Sequence, residues 1–173
     1  SYKVNLLSIA NHTEQKNISE LIKSIHILRN KGINVRLKIL GGGPLLEAHE
    51  KLSISLGLSK NIEFLGFVEE KKEYYDWCDF VVMPSLWEGL PYSIIEAIQN
   101  NQIVITTPCN GMTELVLDQI TGFVTEDSNA NSIAKKVIEI VDNPQLDFKK
   151  LSFNSYEHYK SNYCVESMIK SYS

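Results

Sequence analysis

The stretch Pro84-Ser85-Leu86-Trp87-Glu88-Gly89-Leu90-Pro91-Tyr92-Ser93-Ile94-Ile95-Glu96-Ala97 places one carboxylate, Glu88, just ahead of a predicted helix and a second, Glu96, inside it. Pro91 suits the first helical position, where its missing N–H is no loss and its fixed φ favours entry, so a helix is predicted from Pro91 to about Asn100. Gly89 is expected to supply the turn before it. Ile94, Ile95 and Ile98 form an apolar stripe, while Tyr92, Glu96 and Gln99, at i, i+4 and i+7, fall on the other side, so Glu96 faces away from the core. The first-turn amides lack intrahelical partners and carry about half a positive charge. They offer a seat for a phosphate, and Glu88 borders that seat. An acceptor carboxylate beside an anion site suits a neutral, hydroxylated part of the same ligand. Taken singly, each glutamate reads as an ordinary solvated charge.

Working outward, short apolar or β-branched runs alternate with segments of 3.6-residue period, the pattern of a parallel sheet covered by helices on both faces. Strands are predicted at Val4–Ile9, Val35–Leu40, Ile62–Leu65, Phe80–Met83, Ile103–Thr106 and, weakly, Gly122–Val124. Helices are predicted at Asn17–Arg29, Pro44–Leu56, Lys71–Trp77, Pro91–Asn100, Met112–Leu117 and Asn129–Val141, the last stopping before Pro144. The expected fold is α/β, a Rossmann-like sheet of about six parallel strands. It occupies residues 1–150, and 151–173 is read as a C-terminal amphipathic helix, with Tyr156, Tyr159 and Tyr163 followed by Val165, Met168, Ile169 and Tyr172. In such folds ligands sit beyond the carboxyl ends of the strands, where the glutamate-bearing loop lies.

Composition bounds the function. With 173 residues, 43% of them hydrophobic, the chain has material for one good core rather than two full domains. Seventeen basic and 21 acidic residues give a net charge of -4 with no Lys/Arg-rich run, which argues against nucleic acid or an anionic membrane as partner. Arg29 and Arg36 are the only arginines, and neither is placed as a phosphate clamp, so lysines and backbone amides must serve. Cys78, Cys109 and Cys164 are odd in number and widely spaced, which fits reduced thiols better than a disulfide framework or a zinc site. No metal site is expected. No apolar run approaches a membrane span, no signal peptide is visible and the chain opens almost directly into a strand, so a cytoplasmic, excised domain is expected.

The Pro84–Ala97 segment resembles the donor-site signature of retaining glycosyltransferases of the GT-B fold, glycosyltransferase family 4 or group 1, in which two glutamates flank seven residues. The resemblance implies that Glu88, the catalytic candidate, hydrogen-bonds hydroxyls of the donor hexose. It implies that Glu96 grips the ribose hydroxyls and that the Gly89 and Leu90 amides, next to Pro91, meet sugar and phosphate. A carboxylate accepts from two vicinal hydroxyls without supplying a donor, and charge-assisted bonds contribute roughly 1.5–3 kcal/mol each. The donor expected first is a uridine diphosphate sugar, with no cofactor. The implied partner is an amino-terminal acceptor-binding domain of the same polypeptide, toward which the C-terminal helix would pack and through which the enzyme would meet a membrane. Donor binding with negligible transfer is expected of this half alone, and polysaccharide, glycolipid and glycoprotein acceptors all stay open.

The other strand ends extend the resemblance. Between Ala10 and Lys16 the family carries an arginine and then a lysine for the diphosphate; Lys16 fits the second position, but Asn11 stands at the first and lacks the charge and the bidentate fork. His12 is a further polar candidate. Gly41-Gly42-Gly43-Pro44 lets backbone approach a ligand. It is neither a phosphate-binding Walker loop nor a dinucleotide fingerprint, and the resemblance puts Gly42 and its neighbours close to the donor. Phe64-Leu65-Gly66-Phe67-Val68 matches the segment bordering the nucleobase, so Phe67 or Val68 would line that pocket, core packing being the plainer reading of both. Glu114, after the Cys109-Asn110-Gly111 turn, is read as favouring the N-terminus of its own short helix. Cys109 has no paired histidine in view and is not read as a nucleophile.

Two other classes share this pattern. A sugar-nucleotide hydrolase or epimerase of the same architecture would turn over without an acceptor, and a non-catalytic nucleotide-binding or interaction module would show no sugar preference. A phospho-receiver domain is disfavoured because the first strand ends without an acidic pair and the third without Asp.

Overall fold

The computed structural model describes residues 3–164. Its strands are runs of alternating or continuous apolar residues: β1 (Lys3–Ile9), β2 (Asn34–Leu40), β3 (Ile62–Gly66), β4 (Phe80–Met83), β5 (Val104–Thr106) and β6 (Phe123–Val124). They form one sheet in the order β3-β2-β1-β4-β5-β6, parallel throughout. Parallel strands buried on both faces need side chains that are apolar in both directions. In β1, Val4 and Leu6 join Val35, Leu37 and Ile39 on one face, whereas Leu7 and Ile9 join Val81 and Met83 on the other.

The helices cover the two faces separately. On the first face lie α1 (Ile18–Asn30), through Ile18, Leu21, Ile22, Ile25 and Leu28, and α5 (Ala130–Val141), through Ile133, Ala134, Val137 and Ile140. Each set repeats at three- and four-residue spacing, and each fully buried aliphatic side chain contributes roughly 1.5–3 kcal/mol. The second face is covered by α3 (Lys72–Trp77) through Tyr75 and α4 (Tyr92–Gln99) through Ile94, Ala97 and Ile98. α2 (Leu46–Ser55) rests against α1. The chain builds β1 to β3 outward on one side and returns across β1 to place β4 on the other, so β1 and β4 flank the topological switch point where α/β sheets hold ligands.

The expected six-stranded parallel sheet is present, and three helix expectations are corrected. Residues 112–115 form turns and 116–117 irregular chain instead of a helix: Gly111 takes φ +84°, Gln119 takes φ +62°, and the Thr121 hydroxyl bonds the Leu117 N–H (2.8 Å) and the Leu115 carbonyl (3.3 Å), satisfying backbone groups locally. Met112, Leu115 and Val116 are nonetheless buried, so their spacing marked core rather than helix. Pro91 stands before the helix, not in its first turn: at φ -82°, ψ 79°, with the Tyr92 N–H bonded to the Leu90 carbonyl at 3.0 Å, it centres an inverse γ-turn. The last helix, α6 (Phe148–Asn162), starts three residues before the expected residue 151, because Asp147 caps it by accepting from the Lys150 N–H at 3.0 Å. Over its described length α6 packs on this domain through Leu151 and Tyr159. Val165, Met168, Ile169 and Tyr172 lie outside the described residues.

Candidate functional site

The loop after β1 is pinned to the loop after β4. Asn17 adopts a left-handed φ of 57°, a conformation asparagine tolerates, and its buried amide donates to the carbonyls of Pro84 (3.0 Å) and Ser128 (2.9 Å). Beside it, the Leu86 N–H donates to the Gln15 carbonyl at 2.8 Å, and the Gln15 side-chain amide donates to the Trp87 carbonyl at 2.9 Å. Lys16 lies between these pins, so its ammonium is directed by two loops at once.

That ammonium meets the Glu88 carboxylate as an ion pair. The Ser85 hydroxyl donates to the same carboxylate oxygen at 2.9 Å, and the Glu88 side chain is only 6% exposed. Enclosed charges of this kind persist only when paired and hydrogen-bonded. Gly89 bends the chain, but its φ is not left-handed and a β-carbon there would meet open space. The glycine this loop requires is Gly111: at φ +84° its α-carbon lies so close to the Glu88–Gly89 backbone that a β-carbon would fall 2.6 Å from the Gly89 carbonyl oxygen. Leu90 is exposed and Pro91 buried.

Glu96 lies on the outward side of α4, as its spacing predicts, with Tyr92 and Gln99 exposed along the same side and Ile94, Ala97 and Ile98 beneath. Lys71, the residue before α3, holds both Glu96 carboxylate oxygens at 3.4 Å. No local spacing marks this pair, because its members are 25 positions apart.

Between the two ion pairs lies a cleft of about 210 Å³ at the carboxyl ends of β1, β2 and β3. Asn11 and Lys16 line it from the β1 loop and Gly41 from the β2 loop; Phe67, Val68 and Lys71 line it after β3, and Ser93 from α4. Asn11, Lys16, Phe67 and Val68 are therefore brought together, while Glu88 and Glu96 adjoin the cleft through their lysines. Gly42, Gly89, Leu90 and Pro91 are not part of its wall. Core packing fails as a reading of Phe67, whose ring is 85% exposed, whereas Val68 is half-buried against the second-face core. Lys71 and Ser93 are the wall residues that sequence reasoning missed.

The glycine loop is tight for a structural reason. Gly41 (φ +140°) and Gly43 (φ +142°) press on the β1 loop, where β-carbons would fall 2.1 Å from the Ala10 carbonyl oxygen and 2.8 Å from the His12 backbone. His12 lies beneath this contact, fully buried, its Nδ1 2.7 Å from Nδ1 of His49. Burial, and then the charge of His49, lowers the His12 pKa to about 4, and burial lowers that of His49 as well. The pair therefore supports the loop from below as neutral rings and does not line the cleft. Glu114 is exposed on the turns that replace its expected helix, so the dipole role assigned to it lapses. Cys109 is buried, and burial raises its thiol pKa, the reverse of an activated nucleophile. Among the described residues, no group of three or more His, Cys, Asp or Glu is placed to hold a metal, and no helix is long and apolar enough to cross a membrane.

Known proteins resemble this chain in sequence and in fold. An uncharacterized glycosyltransferase of Methanocaldococcus jannaschii is 31% identical over 163 residues, covering 91% of this chain and 44% of that protein. A capsular polysaccharide biosynthesis glycosyltransferase of Staphylococcus aureus is 30% identical over 137 residues, 77% of this chain and 35% of its own length. The chain thus spans less than half of these relatives. In structure it resembles TarM of Staphylococcus aureus, solved as a mutant in complex with fondaparinux, alpha-GlcNAc-glycerol and UDP, with a TM-score of 0.88 at 23% identity over 98% of this chain and 34% of that one. The model of the glycosyl transferases group 1 family matches residues 3–158, and the chain belongs to that family.

Proposed function

We propose that this chain is the nucleotide-sugar donor-binding half of a retaining hexosyltransferase, which moves a hexose from a nucleoside diphosphate to a glycan, lipid or other acceptor. The observation that carries the reading is the cleft at the carboxyl ends of β1, β2 and β3, flanked by Glu88 on Lys16 and by Glu96 on Lys71. The UDP held by the TarM structure supports a uridine nucleotide as the first candidate.

In this reading the base lies against Phe67 and Val68, Glu96 accepts from the ribose hydroxyls and Lys16 faces the diphosphate. The hexose sits beside Glu88, with the Gly89 and Leu90 amides at the junction of sugar and phosphate. As the anomeric carbon–oxygen bond breaks, charge grows on the departing diphosphate, where an ammonium and fixed amides stabilise it more in the transition state than in the ground state. The acceptor oxygen attacks on the face the diphosphate leaves, and its proton passes to that leaving group, which retains configuration. Acceptor contacts and exclusion of water belong to an amino-terminal half that closes over the donor. The isolated chain binds donor with negligible transfer, and the enzyme works in the cytoplasm.

Isothermal titration with UDP, GDP, ADP and their hexose conjugates tests this. Binding of one nucleotide family, weakened about tenfold by Glu96→Gln, or 1.4 kcal/mol, is the expected result. A folded chain that binds none of them overturns the assignment.

A further inference from the structure

Among the described residues four ion pairs run along a single helix and are local: Lys23 with Glu20 in α1, Lys51 with Glu47 in α2, Lys72 with Asp76 in α3 and Lys136 with Glu139 in α5, the second and third of them solvent-exposed at both partners. Such pairs contribute little. Lys71 with Glu96 differs in two ways. It joins the segment after β3 to α4 across 25 positions, and its lysine, 23% exposed, is part of the cleft wall while its glutamate is not. Ser93, one turn before Glu96 on α4, is also in the wall. The Glu96 carboxylate therefore stands at the rim, and Lys71 is the group that links it to the cavity.

The contact geometry leaves the carboxylate usable. The ammonium lies equidistant from both oxygens, at 3.4 Å each, so it takes one edge of the group and leaves lone pairs on each oxygen for other donors.

We infer that Lys71 is a positioning residue: it holds the Glu96 carboxylate at the cleft rim so that a vicinal diol of the nucleotide can bond both oxygens, and it thereby sets the preference for ribose over 2′-deoxyribose. The inference rests on the donor-site reading above and names a residue that the glutamate signature does not contain.

The test uses the chain with the nucleoside diphosphate that binds, UDP tried first, and its 2′-deoxy counterpart. The wild-type chain is expected to prefer the ribonucleotide by about tenfold. Lys71→Met lowers ribonucleotide affinity by about five- to tenfold and leaves the deoxynucleotide within about twofold, so the preference collapses; Lys71→Arg restores it. Glu96→Gln collapses it alike, and the Lys71→Met/Glu96→Gln double variant loses no more than Glu96→Gln alone. Equal weakening of both nucleotides by Lys71→Met, at an unchanged melting temperature, makes Lys71 a general counter-charge and overturns the positioning role, as does an undiminished preference. A wild-type chain that binds no nucleotide overturns the donor reading itself, and the inference with it.

Discussion

Gly111 and Gly89 are in backbone contact, so close that a β-carbon on Gly111 would fall 2.6 Å from the Gly89 carbonyl oxygen. The turns after β5 thus form a floor under the peptide that follows Glu88. Gly111→Ala has to displace that peptide and also hold alanine at φ +84°, at a strain of order 1–3 kcal/mol. The expected outcome is a lower melting temperature together with weaker binding of a nucleotide sugar than of the free nucleotide, read by titration with both. Gly89→Ala, which meets open space, is expected to fold normally.

Lys16 and Glu88 form an enclosed pair whose members should not be removed singly. Lys16→Met leaves a 6%-exposed carboxylate with the Ser85 hydroxyl as its one remaining partner in the pair's shell, a destabilisation of roughly 1–3 kcal/mol. Glu88→Gln in the same background removes the stranded charge and is expected to recover most of that loss. Urea unfolding of the two singles and the double gives the coupling directly.

The neutral His12–His49 pair makes stability depend on pH. Folded His12 takes up a proton only near pH 4, while in the unfolded chain it does so near 6.5. Between those values the unfolded state holds the extra proton, so stability falls as pH falls, by up to roughly 1.4 kcal/mol per unit for this one group. It is fully retained above 6.5. Chemical denaturation at pH 7.5, 6 and 5 is expected to show this slope, and His12→Asn/His49→Asn to flatten it.

Phe67 separates binding from folding. Its ring is 85% exposed, so Phe67→Ala is expected to leave the melting temperature nearly unchanged. Loss of a face for the base to stack on should weaken nucleotide binding by about three- to tenfold, the equivalent of about 0.5–1.5 kcal/mol of aromatic contact. Weakening of ribose-5-phosphate binding to the same extent would show that the ring does not meet the base.

The sheet, five of its flanking helices and the outward direction of Glu96 follow from periodicity, because burial on a strand or helix face leaves a local repeat. Met112, Leu115 and Val116 carry the same repeat without the helix: Thr121, nine residues on from Met112, supplies the hydroxyl that satisfies the backbone, and periodicity does not register it. At the site, Asn11, Lys16, Phe67 and Val68 were legible as strand-end residues. Lys71 was not, since its partner lies 25 positions away and a lysine opening a charged helix looks like any solvated one. Gly111 was read as turn composition; its actual role depends on which backbone passes over it.

Because β1 is paired with β2 on one side and with β4 on the other, it is the seam between two three-stranded halves of the sheet. Most of the cleft wall, Lys71 included, comes from the β1-β2-β3 half, while Ser93 and the partners Glu88 and Glu96 come from the other, so the cleft is closed and its lysines are paired only when both halves have docked. A chain made only as far as Gly66 has every strand of one half but neither glutamate. Ligand capture therefore reports complete assembly, and a donor nucleotide should slow unfolding chiefly by holding the seam shut.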